Sequence, residues 1–201
     1  MSVGAARGVA CYRRLVLDPE LLAPERLRPL RRVEFDRLVE LGRFEDERVE
    51  LLHGMLVTMT PPGPPHASAV DRLTRLFVLG LGDRALVRVQ NPLALTDDSE
   101  PEPDLALVPF ADYDQGHPER AYLIVEVADS SIKKDRGIKA PLYASAGVPE
   151  YWIVNLVDRV VEVHTRVVDG VYTSVIRYSR QDAIALVEFP DLALRVADFL
   201  S

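Results

Sequence analysis

The chain has 201 residues, with 24 Lys and Arg against 31 Asp and Glu, for a formal net charge of −7 at pH 7. Hydrophobic residues make up 48% and charged residues 27%, which excludes bulk disorder and leaves enough apolar surface for a buried core. Its single cysteine, Cys11, excludes an intramolecular disulfide and a Cys-rich zinc site.

In chain order, the first 30 residues carry three prolines and no sustained periodicity, and are expected to form an N-terminal arm (residues 1–30) with a helical turn near 20–27. The remainder, 31–201, is expected to form one domain. Phe35, Leu38, Val39 and Leu41, followed by Gly42, predict a short amphipathic helix and its stop. In residues 49–59 two apolar runs flank His53-Gly54, the pattern of a hairpin with a tight turn. Residues 61–66 (PPGPPH) read as a rigid turn before a helix from about 67 to 81, with Val70, Leu73, Leu76 and Phe77 on one face. Strands are expected at 84–90, 104–108 and 121–128, the last an almost unbroken apolar run typical of a sheet covered on both sides. A helix at about 132–146 and strands at 150–155, 159–165, 171–178 and 183–187 complete the pattern. The fold class that follows is α/β (α+β): a central mixed β-sheet flanked by helices, with additional β-hairpins.

The informative residues are acids placed where acids are costly. Glu126 sits in the middle of Leu123-Ile124-Val125-Glu126-Val127-Ala128, where both strand faces are apolar. A carboxylate buried there costs several kcal/mol unless a cation or donor compensates it, so it is either paired with one of the many arginines or bound to a metal. Asp104 opens the apolar strand Leu105 to Val108, behind an acidic approach of Asp97, Asp98, Glu100 and Glu102. Hard oxygen ligands converging from separate strands are what Mg²⁺ or Mn²⁺ requires. Glu50, beside Arg48, is either a third acid or a salt-bridge partner.

Of the 24 basic residues, 21 are arginine and three are lysine, and Lys133, Lys134 and Lys139 all fall just after Glu126. Gly137 and Pro141 make that stretch a poor helix by itself, and a kink there would turn Lys139 back toward the strand end. Lys133 and Lys134 are expected on the solvated face. The four histidines (53, 66, 117, 164) have no metal-ligand spacing, and His66 is expected near a pocket. Arg72, Arg75 and Arg136 are candidates for holding phosphates.

Residues 50–67 (ELLHGMLVTMTPPGPPHA), 89–108 (VQNPLALTDDSEPEPDLALV), 123–155 (LIVEVADSSIKKDRGIKAPLYASAGVPEYWIVN) and 160–164 (VVEVH) together resemble the Uma family of "putative restriction endonucleases", in the PD-(D/E)XK nuclease superfamily. The resemblance spans about residues 33–180. It implies a restriction-endonuclease-like sheet in which Asp104 matches the PD aspartate, Glu126 the acid of the (D/E)XK element and Glu50 an upstream acid. The lysine expected two residues after Glu126 is Ala128 here, and Lys139 is the natural substitute.

The activity so implied is Mg²⁺-dependent (or Mn²⁺-dependent) hydrolysis of DNA phosphodiesters, with Asp104 and Glu126 as metal ligands and Asp104, Glu126, Lys139 and Glu50 as the catalytic set. The acidic balance argues against coating nucleic acid by general electrostatics, but a bound metal can supply positive charge at one patch. The substrate expected is DNA, with RNA as the other nucleic acid, and a homodimer would give two sites for two strands. The alternatives are a nuclease-fold module that binds nucleic acid or a protein without cleaving, and a two-carboxylate hydrolase of another substrate. No apolar stretch reaches the roughly 20 residues of a membrane helix, and the N-terminus lacks the apolar core of a secretory signal, so a cytoplasmic location is expected.

Overall fold

The computed structural model describes residues 25–200. Most of the expected arm therefore lies outside the described residues, and 25–27 are not helical.

A six-stranded mixed sheet organises the molecule. It contains β3 (Leu86–Val89), β4 (Leu105–Val108), β5 (Leu123–Ala128), β6 (Glu150–Asn155), β7 (Val160–Val168) and β8 (Val171–Tyr178), in that spatial order. Only β5 and β6 run parallel; every other neighbouring pair is antiparallel. All residues of β4, β5 and β6 are buried, as expected for a sheet with both faces covered.

One face is covered by α2 (Pro64–Leu81), whose Val70, Leu73 and Phe77 pack on Leu105, Val125, Val127 and Trp152. Pro64 and Pro65 occupy the first helical positions, where their missing N–H groups cost nothing. The expected rigid turn is thus partly helix, and α2 starts three residues earlier than the periodicity suggests. A short C-terminal hairpin, β9 (Ala183–Ala185) with β10 (Ala193–Arg195), adds Ile184 and Leu194 to this core. Its second strand was not expected, because three residues carry too little alternation to register.

The other face is covered by the connection between β5 and β6. It runs through α3 (Ile132–Lys134), a π-helical turn (Asp135–Lys139) and α4 (Ala140–Ser145). Pro141 has no N–H to donate to the carbonyl four residues back, so the regular ladder fails just where the kink was expected. The chain widens by one residue, and the N–H of Ala140 reaches the carbonyl of Asp135.

Outside the sheet, α1 (Arg32–Glu40) precedes a separate hairpin of β1 (Val49–Leu52) and β2 (Met55–Thr58). His53 and Gly54 both have positive φ at its turn, the conformation that matches the strand twist. A bridge from Leu51 to Glu100 pins the hairpin to the acidic loop before β4.

Candidate active site

The sheet register brings the two central acids together. Leu105 pairs with Val125 and Ala106 with Ile124, so one further step places Asp104 across from Glu126. Both lie on the sheet face that carries the β5–β6 connection, and both line a cavity of about 320 Å³. Asp104 is held by three donors: Nε2 of His66 at 2.9 Å and the N–H of Val127 at 2.8 Å on Oδ2, and the side-chain amide of Gln90 at 3.3 Å on Oδ1. Burial works against its ionisation, but His66, Val127 and Gln90 outweigh it and hold the carboxyl below the usual aspartate range.

Glu126 is treated differently. Nζ of Lys139 at 2.7 Å and Oη of Tyr143 at 2.8 Å both donate to Oε1. Burial pushes this carboxyl up to about 8, with Lys139 pulling it down and the charges of Asp104, Asp135 and Glu50 adding to the rise. The site holds more negative charge than its resident cations neutralise.

Lys139 is sealed, its side chain 2% exposed, with Glu50 Oε2 at 3.0 Å as its second carboxylate. Burial alone would lower its pKa, yet Glu126 and Glu50 together hold it above the ordinary lysine value. The side chain therefore stays an ammonium. Glu50, fully buried on β1, accepts from Lys134 Nζ on its other oxygen at 2.9 Å, and the two lysines keep it ionised despite its burial. The result is an alternating row, Lys134–Glu50–Lys139–Glu126, running from the cavity edge into the sheet.

All four residues singled out in the sequence, Asp104, Glu126, Lys139 and Glu50, thus converge in one place. Glu50 is a partner of lysines and not of Arg48, whose guanidinium pairs with Glu102. Lys133 is exposed as expected, but Lys134 is not on the solvated face: it lines the cavity. Arg136 is committed to Glu162 through two hydrogen bonds, which removes it as a free phosphate ligand. His66, on the first turn of α2, does reach the pocket, and its contact with Asp104 raises its pKa.

Gln90 and Tyr143 were not anticipated. Tyr143 follows Lys139 by four residues on the next helical turn, a spacing that could have flagged it. Asp135 is also buried; Ser131 donates to its Oδ2, and its Oδ1 has no hydrogen-bond partner.

The donor set suits a hard cation. Five acidic side chains (Glu102, Asp104, Glu126, Asp129 and Asp135) line the cavity against one arginine and two lysines, Arg48, Lys134 and Lys139. Among the described residues no group of three or more His, Cys, Asp or Glu is gathered as a ready-made metal cage. Two facing carboxylates with the rest of the shell left to water and substrate is, however, the usual arrangement for Mg²⁺.

A search of curated proteins finds no match. A crystal structure described as a putative nuclease belonging to DUF820 from Anabaena variabilis shares the fold, with a TM-score of 0.68, 14% identity, and coverage of 85% of this chain and 97% of that one. No helix among the described residues is long and apolar enough to cross a membrane. The profile of the Uma2 family, described as "Putative restriction endonuclease", matches residues 32–197, which takes in every residue of the site, and the chain belongs to that family.

Proposed function

We propose that the protein is a Mg²⁺-dependent endonuclease that hydrolyses phosphodiester bonds of DNA. The observation that carries this reading is the pairing of Asp104 and Glu126 across β4 and β5, with a buried ammonium on the second acid. Asp104 and Glu126 would hold the ion, and the excess of carboxylates in the cavity supplies the affinity for it. When bound, the metal neutralises charge on the scissile phosphate and acidifies a water.

The chain's own residues do the positioning. His66, Gln90 and the Val127 N–H fix Asp104 in one orientation and keep it ionised. Lys139 and Tyr143 both hold Oε1 of Glu126, which aims the carboxylate and leaves Oε2 for the cavity. Lys139 is the amine that Ala128 does not provide, and it acts by its fixed charge. Held protonated between two carboxylates, it does not take a proton from water. With one site per chain, a homodimer is the simplest assembly that cuts both strands.

Ala128 favours a second reading, a nuclease-fold module that binds without cutting. A plasmid-nicking assay separates the two. Wild type is expected to nick supercoiled DNA with Mg²⁺ or Mn²⁺ and not with EDTA, while Glu126→Ala and Lys139→Ala are expected to be inactive. Equal activity in all three proteins would refute the site, and no activity with any metal would support the binding module.

A further inference from the structure

We propose that Lys134 is the side chain that contacts the substrate phosphate, with Lys139 sealed behind it as a positioning residue. This rests on the nuclease reading and assigns within it a residue that sequence reasoning placed on the solvated surface.

The two lysines differ in what their amines can still do. Nζ of Lys139 lies between Glu126 Oε1 at 2.7 Å and Glu50 Oε2 at 3.0 Å, in a side chain that is 2% exposed. Two of its three N–H donors are taken by buried carboxylates, and little of the side chain is exposed to offer the third. Lys134 is 30% exposed, lines the same cavity as Asp104 and Glu126, and has one carboxylate partner, Glu50 Oε1 at 2.9 Å. An ammonium has three N–H donors, so two remain for a ligand.

Of the other cations nearby, Arg136 gives two hydrogen bonds to Glu162 and does not line the cavity, while Arg48, which does line it, pairs with Glu102 and is a second phosphate contact open to the same test. Glu50 does not depend on Lys134 alone, because Lys139 and the N–H of Glu102, at 3.4 Å from Oε2, also face it. What Glu50 gives Lys134 is direction. A flexible four-carbon stem is fixed at the cavity edge before the ligand arrives, which lowers the entropy lost on binding. Glu50 thereby ties the phosphate contact to Glu126 through Lys139, so both ends of the row are set by one buried carboxylate.

The test compares Lys134→Ala, Lys134→Arg and wild type, with folding checked by circular dichroism. Binding of a fluorescein-labelled duplex oligonucleotide is followed by anisotropy with Ca²⁺ across a salt series, and cleavage with Mg²⁺. Lys134→Ala is expected to weaken binding and raise KM about tenfold, the size of one charge-assisted hydrogen bond, with a smaller change in kcat. The slope of log affinity against log salt should fall by about one phosphate contact, and Lys134→Arg should restore most of it. A residue that merely screens Glu50 would move stability and leave the salt slope alone. Wild type that binds and cleaves, beside Lys134→Ala with the same KM and salt slope, overturns this inference and leaves the nuclease reading standing. Wild type that neither binds nor cleaves the oligonucleotide overturns both.

Discussion

Glu126 and Glu150 are both buried glutamates, on the neighbouring parallel strands β5 and β6, and their surroundings could hardly differ more. Glu150 gives one oxygen to the indole N–H of Trp152 at 2.7 Å and the other to the backbone N–H of Val187 at 2.8 Å. Both donors are neutral and each oxygen is used, so the carboxylate staples the C-terminal segment to the sheet. Glu126 concentrates a lysine and a tyrosine on one oxygen and lines a cavity shared with other acids. Burial raises the pKa of both. A perturbed acid is thus no sign of chemistry by itself; the sign is that its partners leave it short of positive charge beside open space.

Removing the cation from Glu126 should break this contrast most severely. Lys139→Met leaves Glu126 without a cation and Glu50 with Lys134 alone, and is expected to cost about 3–5 kcal/mol of stability at pH 8, read by urea unfolding, with cleavage abolished. The cost should be smaller at pH 5, where Glu126 can protonate.

Next comes the pH dependence itself. The pKa of Glu126 rises from its ordinary value to about 8 on folding, so the folded chain holds a proton that the unfolded chain releases across that interval. Stability from this group is therefore full at low pH and lost as pH rises through about 8. Glu126→Gln, which imitates the protonated acid, should flatten that part of the stability profile, and an unflattened profile would mean that Glu126 is ionised throughout.

Glu150 should respond in the opposite sense. Glu150→Ala strands the buried indole N–H of Trp152 and frees the backbone N–H of Val187, and is expected to cost about 1–3 kcal/mol, while the specific activity of the folded fraction stays at the wild-type level. A selective loss of activity would erase the distinction between the two acids. The smallest effect is expected for Tyr143→Phe, which removes one of two donors from Glu126 Oε1: about 1 kcal/mol in stability and a few-fold in kcat.

The parts legible in the sequence were those with a local signature. A glutamate inside an unbroken apolar strand, an aspartate at a strand start, and a helix spoiled by Gly137 and Pro141 each violate a short-range rule, and all three lie at the site. The mixed sheet and its helical cover followed from the order of apolar runs. Long-range partners were not legible. Lys134 looks like any lysine at a helix start until the β1 hairpin, 84 residues earlier, brings Glu50 against it. Glu150 carries no such local signature, because its role depends on where the backbone of Val187 arrives. Both pairings are created only by tertiary structure.

The central claim is that Asp104 and Glu126 together hold a divalent cation. Isothermal titration of Mg²⁺ or Mn²⁺ into wild type, Asp104→Ala and Glu126→Ala, each verified as folded by circular dichroism, tests it most directly. Binding to wild type with proton release, and its loss in both variants, is the outcome expected. Unchanged metal affinity in both variants would contradict it.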